Sequence, residues 1–484
     1  MVFSSHIFLF YFLPLALGVY YLAPRRLRHL ALTLVSYVFY GWANPYFVFL
    51  MFGSTVFSYC CGMIIAHGFH GWRNEVQALP KGEPRTTLQR RALIASVTCS
   101  LLALGVFKYF NFALDNYNGL MAALGLDALQ WKNFLRITLP LGISFYTFHC
   151  ISYIVDVYRG DAKVVSNFTD FSCYIAMFPQ LVAGPIIRYR EIAYQLQGRA
   201  YTFEKFSRGV TFISLGMAKK ILIANACGKV ADTCFGAGAV STLDAWYGMF
   251  AYTFQIYFDF SAYSDMAIGL GLMLGFVFPK NFDSPYLSQS ITEFWRRWHL
   301  SLSFFLRDYL YVPLGGNRKG ERRTYVNLAT VMLLGGLWHG AAWNFVIWGG
   351  IHGTMLAFER TQGKESFYHN APRLIRTALT FLIVCFAWVF FRAPDLPAAL
   401  AYLQSLFGLG AAQDGMYLIR GLIYQPYYVL AMLLAVIVVW TAPQTWDFTR
   451  KLTWPKAAWC LVLLIISLLI LTTQSYNPFI YFIF

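Results

Sequence analysis

Apolar runs long enough to span a bilayer recur along this whole chain. They fall at about 6–23, 30–43, 46–66, 92–110, 134–157, 206–226, 244–278, 325–341, 343–359, 374–392, 427–445 and 457–475. A helix crosses the hydrocarbon core with roughly 20 such residues. Without water to satisfy it, the spanning backbone must close its own hydrogen bonds as helix or barrel. Several runs are shorter than that, and 244–278 is long enough for a tilted, bent or doubled segment. Only 12% of the 484 residues are charged, against about 25% in a soluble domain. Mean hydropathy is +0.51. The expectation is an all-α polytopic membrane protein with about eleven or twelve crossings, forming one integral unit over 1–484.

The net charge of +16 would suggest nucleic acid in a soluble protein. Here the basic residues sit in short loops between apolar runs, and no basic stripe runs along one element, so topology explains them instead. Arg25, Arg26 and Arg28 follow the first run. The loop 68–91 holds Arg73, Lys81, Arg85, Arg90 and Arg91. Arg159, Lys163, Arg188, Arg190, Arg199, Lys205 and Arg208 flank 166–187, and further clusters are Arg318, Lys319, Arg322, Arg323 and Arg450, Lys451, Lys456. All are cytoplasmic if the N-terminus lies outside and 166–187 does not cross. That stretch contains Pro179, Gly184 and Pro185 and reads as a broken or re-entrant segment. The first 24 residues lack a basic leader and a cleavage site, so they read as a first crossing. Nine cysteines form no C-x-x-C pair and imply neither a zinc site nor a disulfide framework.

Two histidines stand out against this background. His339 ends the run Leu333-Leu334-Gly335-Gly336-Leu337-Trp338-His339-Gly340, and His299 lies 40 residues earlier in Ser290-Ile291-Thr292-Glu293-Phe294-Trp295-Arg296-Arg297-Trp298-His299. An ionisable group at membrane depth costs free energy and marks a functional candidate. Imidazole is also the side chain best matched to proton transfer near neutral pH. Gly335 and Gly336 either admit a neighbouring helix or leave room for substrate. Ser290 as N-cap with Glu293 forms a capping-box pattern, and on the predicted helix Trp295, His299 and Ser303 share one face.

Gly340-Ala341-Ala342 is a turn that would fold the flanking runs into a hairpin. Asn344, Trp348 and His352 then share a face, lining a wet cavity or making interhelical hydrogen bonds, with structure the favoured role for His352. In the run Gln255 to Gly269, Asp259 and Tyr263 share one face while Ser261, Asp265 and Gly269 share another. These acids would orient an imidazole, line a polar tunnel, or pair with Arg296 or Arg297. The cluster Arg318, Lys319, Arg322, Arg323 either attracts phosphates or simply sets topology. There is no G-x-S-x-G or H-E-x-x-H motif, and Gly315 to Gly320 is no Walker A loop. No nucleophile adjoins the histidines, which favours direct transfer over a covalent enzyme intermediate.

At these residues the chain resembles the membrane-bound O-acyltransferase family, most nearly its bacterial alginate O-acetylase branch. The likeness extends to Met1-Val2-Phe3-Ser4-Ser5, Pro140 to Tyr146, Ile154 to Gly160, Val182-Ala183-Gly184-Pro185, Tyr257 to Gly269 and Arg307 to Tyr311. Pro478-Phe479-Ile480-Tyr481-Phe482 fits the wider family. Ala262 stands where glycine is expected in near relatives. The resemblance implies a helical ring around a thinned membrane centre, where a tunnel meets a funnel, with a catalytic core at about 140–395. It matches His339 to the family's essential histidine and His299 to the second polar position.

Acyl transfer from a cytoplasmic thioester to a hydroxyl follows from that likeness. Acetyl-CoA or another acyl thioester is the expected donor, with no bound cofactor and no metal. Trp338, Trp298, Asp259, Tyr263, Asp265, Asn344, His352, Arg318 and Lys319 are the candidates for substrate contact, the donor entering near 296–323. The expected setting is the bacterial inner membrane, with periplasmic partner proteins completing acetylation of an exopolysaccharide. Alginate is the first acceptor to consider, then cellulose or another surface glycan. D-alanyl transfer to teichoic acid, or a transporter using Asp259, Asp265, His339 and His352 as a path, are the alternatives. No inverted repeat supports the transporter.

Overall fold

The computed structural model describes residues 2–69, 78–363, 365–410 and 415–480. Met1, Arg73, Tyr481 and Phe482 lie outside the described residues. All regular structure among the described residues is helical, as the run pattern predicts. Contacts divide the chain into two compact units, Met1–Tyr201 and Thr202–Phe484.

The first unit holds α1 (Leu13–Leu22), α2 (Arg28–Gly41), α3 (Phe47–His67), α4 (Thr87–Ala123), α5 (Ile143–Arg159), α6 (Phe168–Ala176), α7 (Phe178–Leu181) and α8 (Tyr189–Gln197). The segment 166–187 is broken as expected: Met177 turns the chain between α6 and α7, just ahead of Pro179. The break is fully buried, so its backbone needs partners. Ser36 Oγ on α2 accepts the Phe178 N–H at 3.0 Å, and the Gln180 amide donates to the Tyr174 carbonyl at 2.5 Å.

The second unit holds α9 (Phe203–Ala218), α10 (Asn225–Gly236), α11 (Thr242–Met273), α12 (Ile291–Trp295), α13 (Leu300–Leu306), α14 (Glu321–His339), α15 (Trp343–Thr361), α16 (Arg373–Arg392), α17 (Leu396–Leu406), α18 (Arg420–Ile423), α19 (Pro426–Thr441), α20 (Thr445–Phe448) and α21 (Trp454–Thr473). Its core is α11, whose middle and C-terminal part is buried without interruption from Ala251 to Met273. A π-helical stretch, Lys219–Ala224, joins α9 to α10 in one rod. The α9 and α11 backbones touch at Gly209 and Gly269, where a Cβ on either would lie 2.6 Å from the other's carbonyl oxygen.

Five helical stretches among the described residues are long and apolar enough to cross a membrane: Phe47–His67, Thr87–Ala123, Phe203–Gly236, Arg373–Arg392 and Trp454–Thr473. Ile7–Leu22, Leu396–Leu406 and Pro426–Thr441 are shorter apolar helices. The runs 325–341 and 343–359 form the expected hairpin of α14 and α15. The helix-approach role of Gly336 is the one realised. A Cβ there would lie 2.2 Å from the Phe345 carbonyl oxygen, and one at Gly349 would lie 2.3 Å from that of Met332. Only glycines allow so close a crossing.

Candidate active site

The helix expected to run from Ser290 through His299 breaks before it gets there. α12 stops after Trp295, and His299 sits in the left-handed region at φ 44°, ψ 54°, ahead of α13. That conformation is uncommon for a non-glycine residue and needs outside support. The loop before α12 supplies it. Asp283 N–H donates to the Arg297 carbonyl and Leu300 N–H to the Asn281 carbonyl, each at 2.9 Å. Trp295, His299 and Ser303 therefore do not share a helical face; Ser303 instead donates its hydroxyl to the Trp295 carbonyl at 3.2 Å. The predicted start does hold, with Ser290 Oγ accepting Glu293 N–H at 3.0 Å. The Glu293 carboxylate reaches past the capping-box position to Gln289 N–H, at 2.8 Å. Buried Glu359, at the end of α15, accepts Ile291 N–H at 2.7 Å and Thr292 N–H at 2.8 Å. A carboxylate there satisfies first-turn donors and meets the positive end of the helix.

Asn281 decides the state of His299. Its Oδ1 accepts the Ser301 backbone N–H at 3.3 Å and the Ser301 hydroxyl at 2.8 Å, while its Nδ2 donates to Ser264 Oγ at 2.7 Å. A backbone N–H can only donate, so the amide orientation is settled. His299 Nδ1 lies 3.1 Å from the same Oδ1, and must therefore carry the proton. Nε2 is left as a bare acceptor, buried and without a hydrogen-bond partner. His299 is fully buried, and that desolvation pushes its imidazole down to about 3. The residue is thus a neutral acceptor near pH 7.

His339 ends α14. Its ring contacts Trp338 at 4.9 Å, Trp348 at 5.2 Å and Phe391 at 5.1 Å, centroid to centroid. It borders an enclosed space of about 10 Å³ with Phe260, Trp298, Trp388, Phe391 and Ile480, room for roughly one water. The two histidines converge on the same aromatic cluster. Phe260, a wall of that space, packs edge-on to His299 at 4.6 Å, and Trp338 lies 6.2 Å from His299. His339, His299, Trp338 and Trp298 are thus brought together.

The other predicted residues go elsewhere. Asn344 donates to the carbonyls of Phe390 at 3.1 Å and Ala393 at 2.8 Å, a structural clamp between α15 and the end of α16. His352 Nδ1 accepts the Trp295 indole N–H at 3.3 Å. Asp259 and Asp265 do not pair with Arg296 or Arg297; Arg297 takes Glu293 at 2.8 Å. Their partners are Lys220 and Lys219, each at 2.7 Å, both at the start of the π-helical stretch. Asp259 also accepts Ile480 N–H at 2.9 Å, Lys220 donates to the Pro478 carbonyl, and Tyr263 stacks on Phe479 at 4.3 Å. This group seats the segment 476–480. Arg318 and Lys319 are exposed in the turn before α14. The 19 residues of α14 place them about 28 Å from His339 along the helix, too far to touch its imidazole.

Sequence reasoning missed Asn281, Glu359 and the Lys219–Lys220 pair. The lysines carried a readable signal, two charges inside an apolar run. Asn281 carried none, lying in a stretch legible only as loop. Among the described residues no group of three or more His, Cys, Asp or Glu could hold a metal ion.

The described residues thus form an all-helical chain with helices long enough to cross a membrane and two buried imidazoles, the class of polytopic membrane proteins. The model of the membrane-bound O-acyltransferase family matches residues 159–393. The probable alginate O-acetylase AlgI of Pseudomonas putida is 44% identical, with all of both chains covered. The protein of the same name from Pseudomonas aeruginosa is 48% identical over 85% of this chain and 76% of its own. A peptidoglycan O-acetyltransferase of Helicobacter pylori is 32% identical over 100% of this chain and 98% of its own. The chain belongs to the membrane-bound O-acyltransferase family. It is a multi-pass membrane O-acyltransferase.

Proposed function

We propose that this protein moves acetyl groups from a cytoplasmic thioester, acetyl-CoA being the donor, through the bacterial inner membrane for O-acetylation of alginate. Relatives named for alginate at 44% to 49% identity support that acceptor. The observation that carries the mechanism is that His339 lines a small buried cavity whose wall Phe260 packs edge-on against His299, with Trp338 in contact with both imidazoles.

His339 takes the proton of the acceptor hydroxyl as its oxygen attacks the thioester carbonyl carbon. The tetrahedral intermediate collapses with loss of the C–S bond, and the thiolate leaving group takes from the imidazolium the proton that the acceptor hydroxyl gave up. His299 cannot donate to the oxyanion, since its one N–H is spent on Asn281. Its Nε2 instead accepts an N–H from the amide arm of the donor and orients it. The oxyanion then needs another donor. The Trp348 indole N–H is buried, lacks a hydrogen-bond partner and belongs to a ring in contact with His339, and we assign it that role. Arg318 and Lys319, remote from His339, serve the donor only by attracting its phosphates.

A periplasmic partner protein receives the acetyl group and modifies the polymer. The purified chain with acetyl-CoA should turn over slowly or not at all on mannuronate oligomers alone, and efficiently once the partner is added. Robust acetylation of oligomers by the isolated chain would refute the relay.

A further inference from the structure

An open groove in the second unit has no part in this chemistry. The first turns of α9 and α21 line one side each of an open cavity of about 610 Å³. At its mouth stand Arg208, Arg450 and Lys451, against the single acid Glu204. The cavity continues into a second space of about 300 Å³, sharing Phe203, Ser207, Leu452 and Ala457, which runs down between Val210 on α9 and Leu461 and Leu464 on α21.

We infer that this groove binds an anionic glycerophospholipid, its phosphate at Arg450 and Lys451 and an acyl chain along Val210, Leu461 and Leu464. Three features converge on that occupant. Both helices belong to stretches long enough to cross a membrane, and the groove lies over their first turns, so its mouth opens at headgroup level. Two helix N-termini meet there, α21 without a side-chain cap on its first-turn N–H groups, and backbone donors of this kind favour a phosphate. The polar mouth gives way to about 10 Å of apolar wall between Ser207 and Ser214. A free anion would leave that wall uncovered, and a zwitterionic lipid would not use the excess of cations. Trp454, 90% exposed beside the mouth, suits the membrane–water interface. Arg208 is part of the frame, donating to the Trp446 carbonyl at 3.2 Å and Thr449 Oγ1 at 3.3 Å. Arg450 and Lys451 are therefore the positions to vary.

The test is native mass spectrometry of the full-length chain, purified in mild detergent with equal phosphatidylglycerol and phosphatidylcholine. The wild type should retain phosphatidylglycerol preferentially. The double variant R450Q/K451Q, at exposed positions, should lower that retention on the order of tenfold, as expected for two cations facing an anionic headgroup. L464W, which fills the tail end, should lower retention of phosphatidylglycerol while leaving the basic mouth intact. Equal retention of the two lipids, or no loss in R450Q/K451Q, would overturn the proposal. So would displacement of phosphatidylglycerol by an equal concentration of inorganic phosphate, which would make the groove a simple anion site.

Discussion

Asn281 Oδ1 faces His299 Nδ1 at 3.1 Å, and this one contact sets the proton on Nδ1 and leaves Nε2 bare. Replacing Asn281 with Asp puts a carboxylate beside that N–H. A negative neighbour favours the charged imidazolium, so the imidazole's proton affinity rises and Nε2 becomes protonated at higher pH. The wild-type residue, held down at about 3, stays neutral from about pH 5 to 8. Asn281→Asp should therefore lose acetyl transfer as pH falls through that window and recover toward alkaline pH. The pH profile of transfer rate measures this; a profile superimposable on wild type would remove Asn281 from the mechanism.

His339→Gln should insert and fold normally but lower transfer by about 10²–10⁴-fold, the usual cost of a lost general base. His299→Ala should matter less. The double variant should be little worse than His339→Gln, because groups acting as a unit are not additive. Initial rates of the three variants with a defined acceptor test this, and fully additive losses would give His299 a separate task.

Trp348→Phe keeps an aromatic ring against Trp388, on which Trp348 stacks at 5.5 Å, and removes only the indole N–H. Loss of an oxyanion donor should lower kcat by roughly 10²–10³-fold with KM nearly unchanged. A rise in KM at constant kcat would instead mark Trp348 as a binding wall.

The Lys220–Asp259 pair is almost fully buried on both sides. Asp259→Asn leaves an uncompensated lysine and should destabilise the second unit by about 3–5 kcal/mol. Replacing both members with apolar residues should recover much of that loss. Thermal unfolding in detergent, compared across single and double variants, measures it. An undisturbed single variant would mean water reaches the lysine.

Glu359→Gln keeps the shape of the carboxylate that accepts Ile291 and Thr292 N–H but removes its charge. The cap should weaken by about 1 kcal/mol, and the break at His299 should loosen with it. Hydrogen exchange over 290–300 should rise while that of α16 does not; exchange rising equally in both would point to global destabilisation.

Much of this protein is present in its sequence alone. Hydrophobic run length dictates the helices, because backbone at membrane depth must satisfy itself locally. Pro179 announces the break in 166–187 and Gly340 the hairpin of α14 and α15. Each depends on residues near one another in the chain. What the sequence could not decide depends on partners far apart. His299 leaves its expected helical face because backbone groups of the 281–283 loop hold it there. Asp259 and Asp265 choose lysines 39 and 46 residues away over the nearer arginines, since a buried acid pairs with whatever cation the packing seats beside it. The proton on His299 is likewise set by Asn281, a residue with no local signature. Local sequence specifies where the chain must be helical; only tertiary packing specifies which polar groups meet, because hydrogen bonds and ion pairs act over a few ångströms and not along the chain.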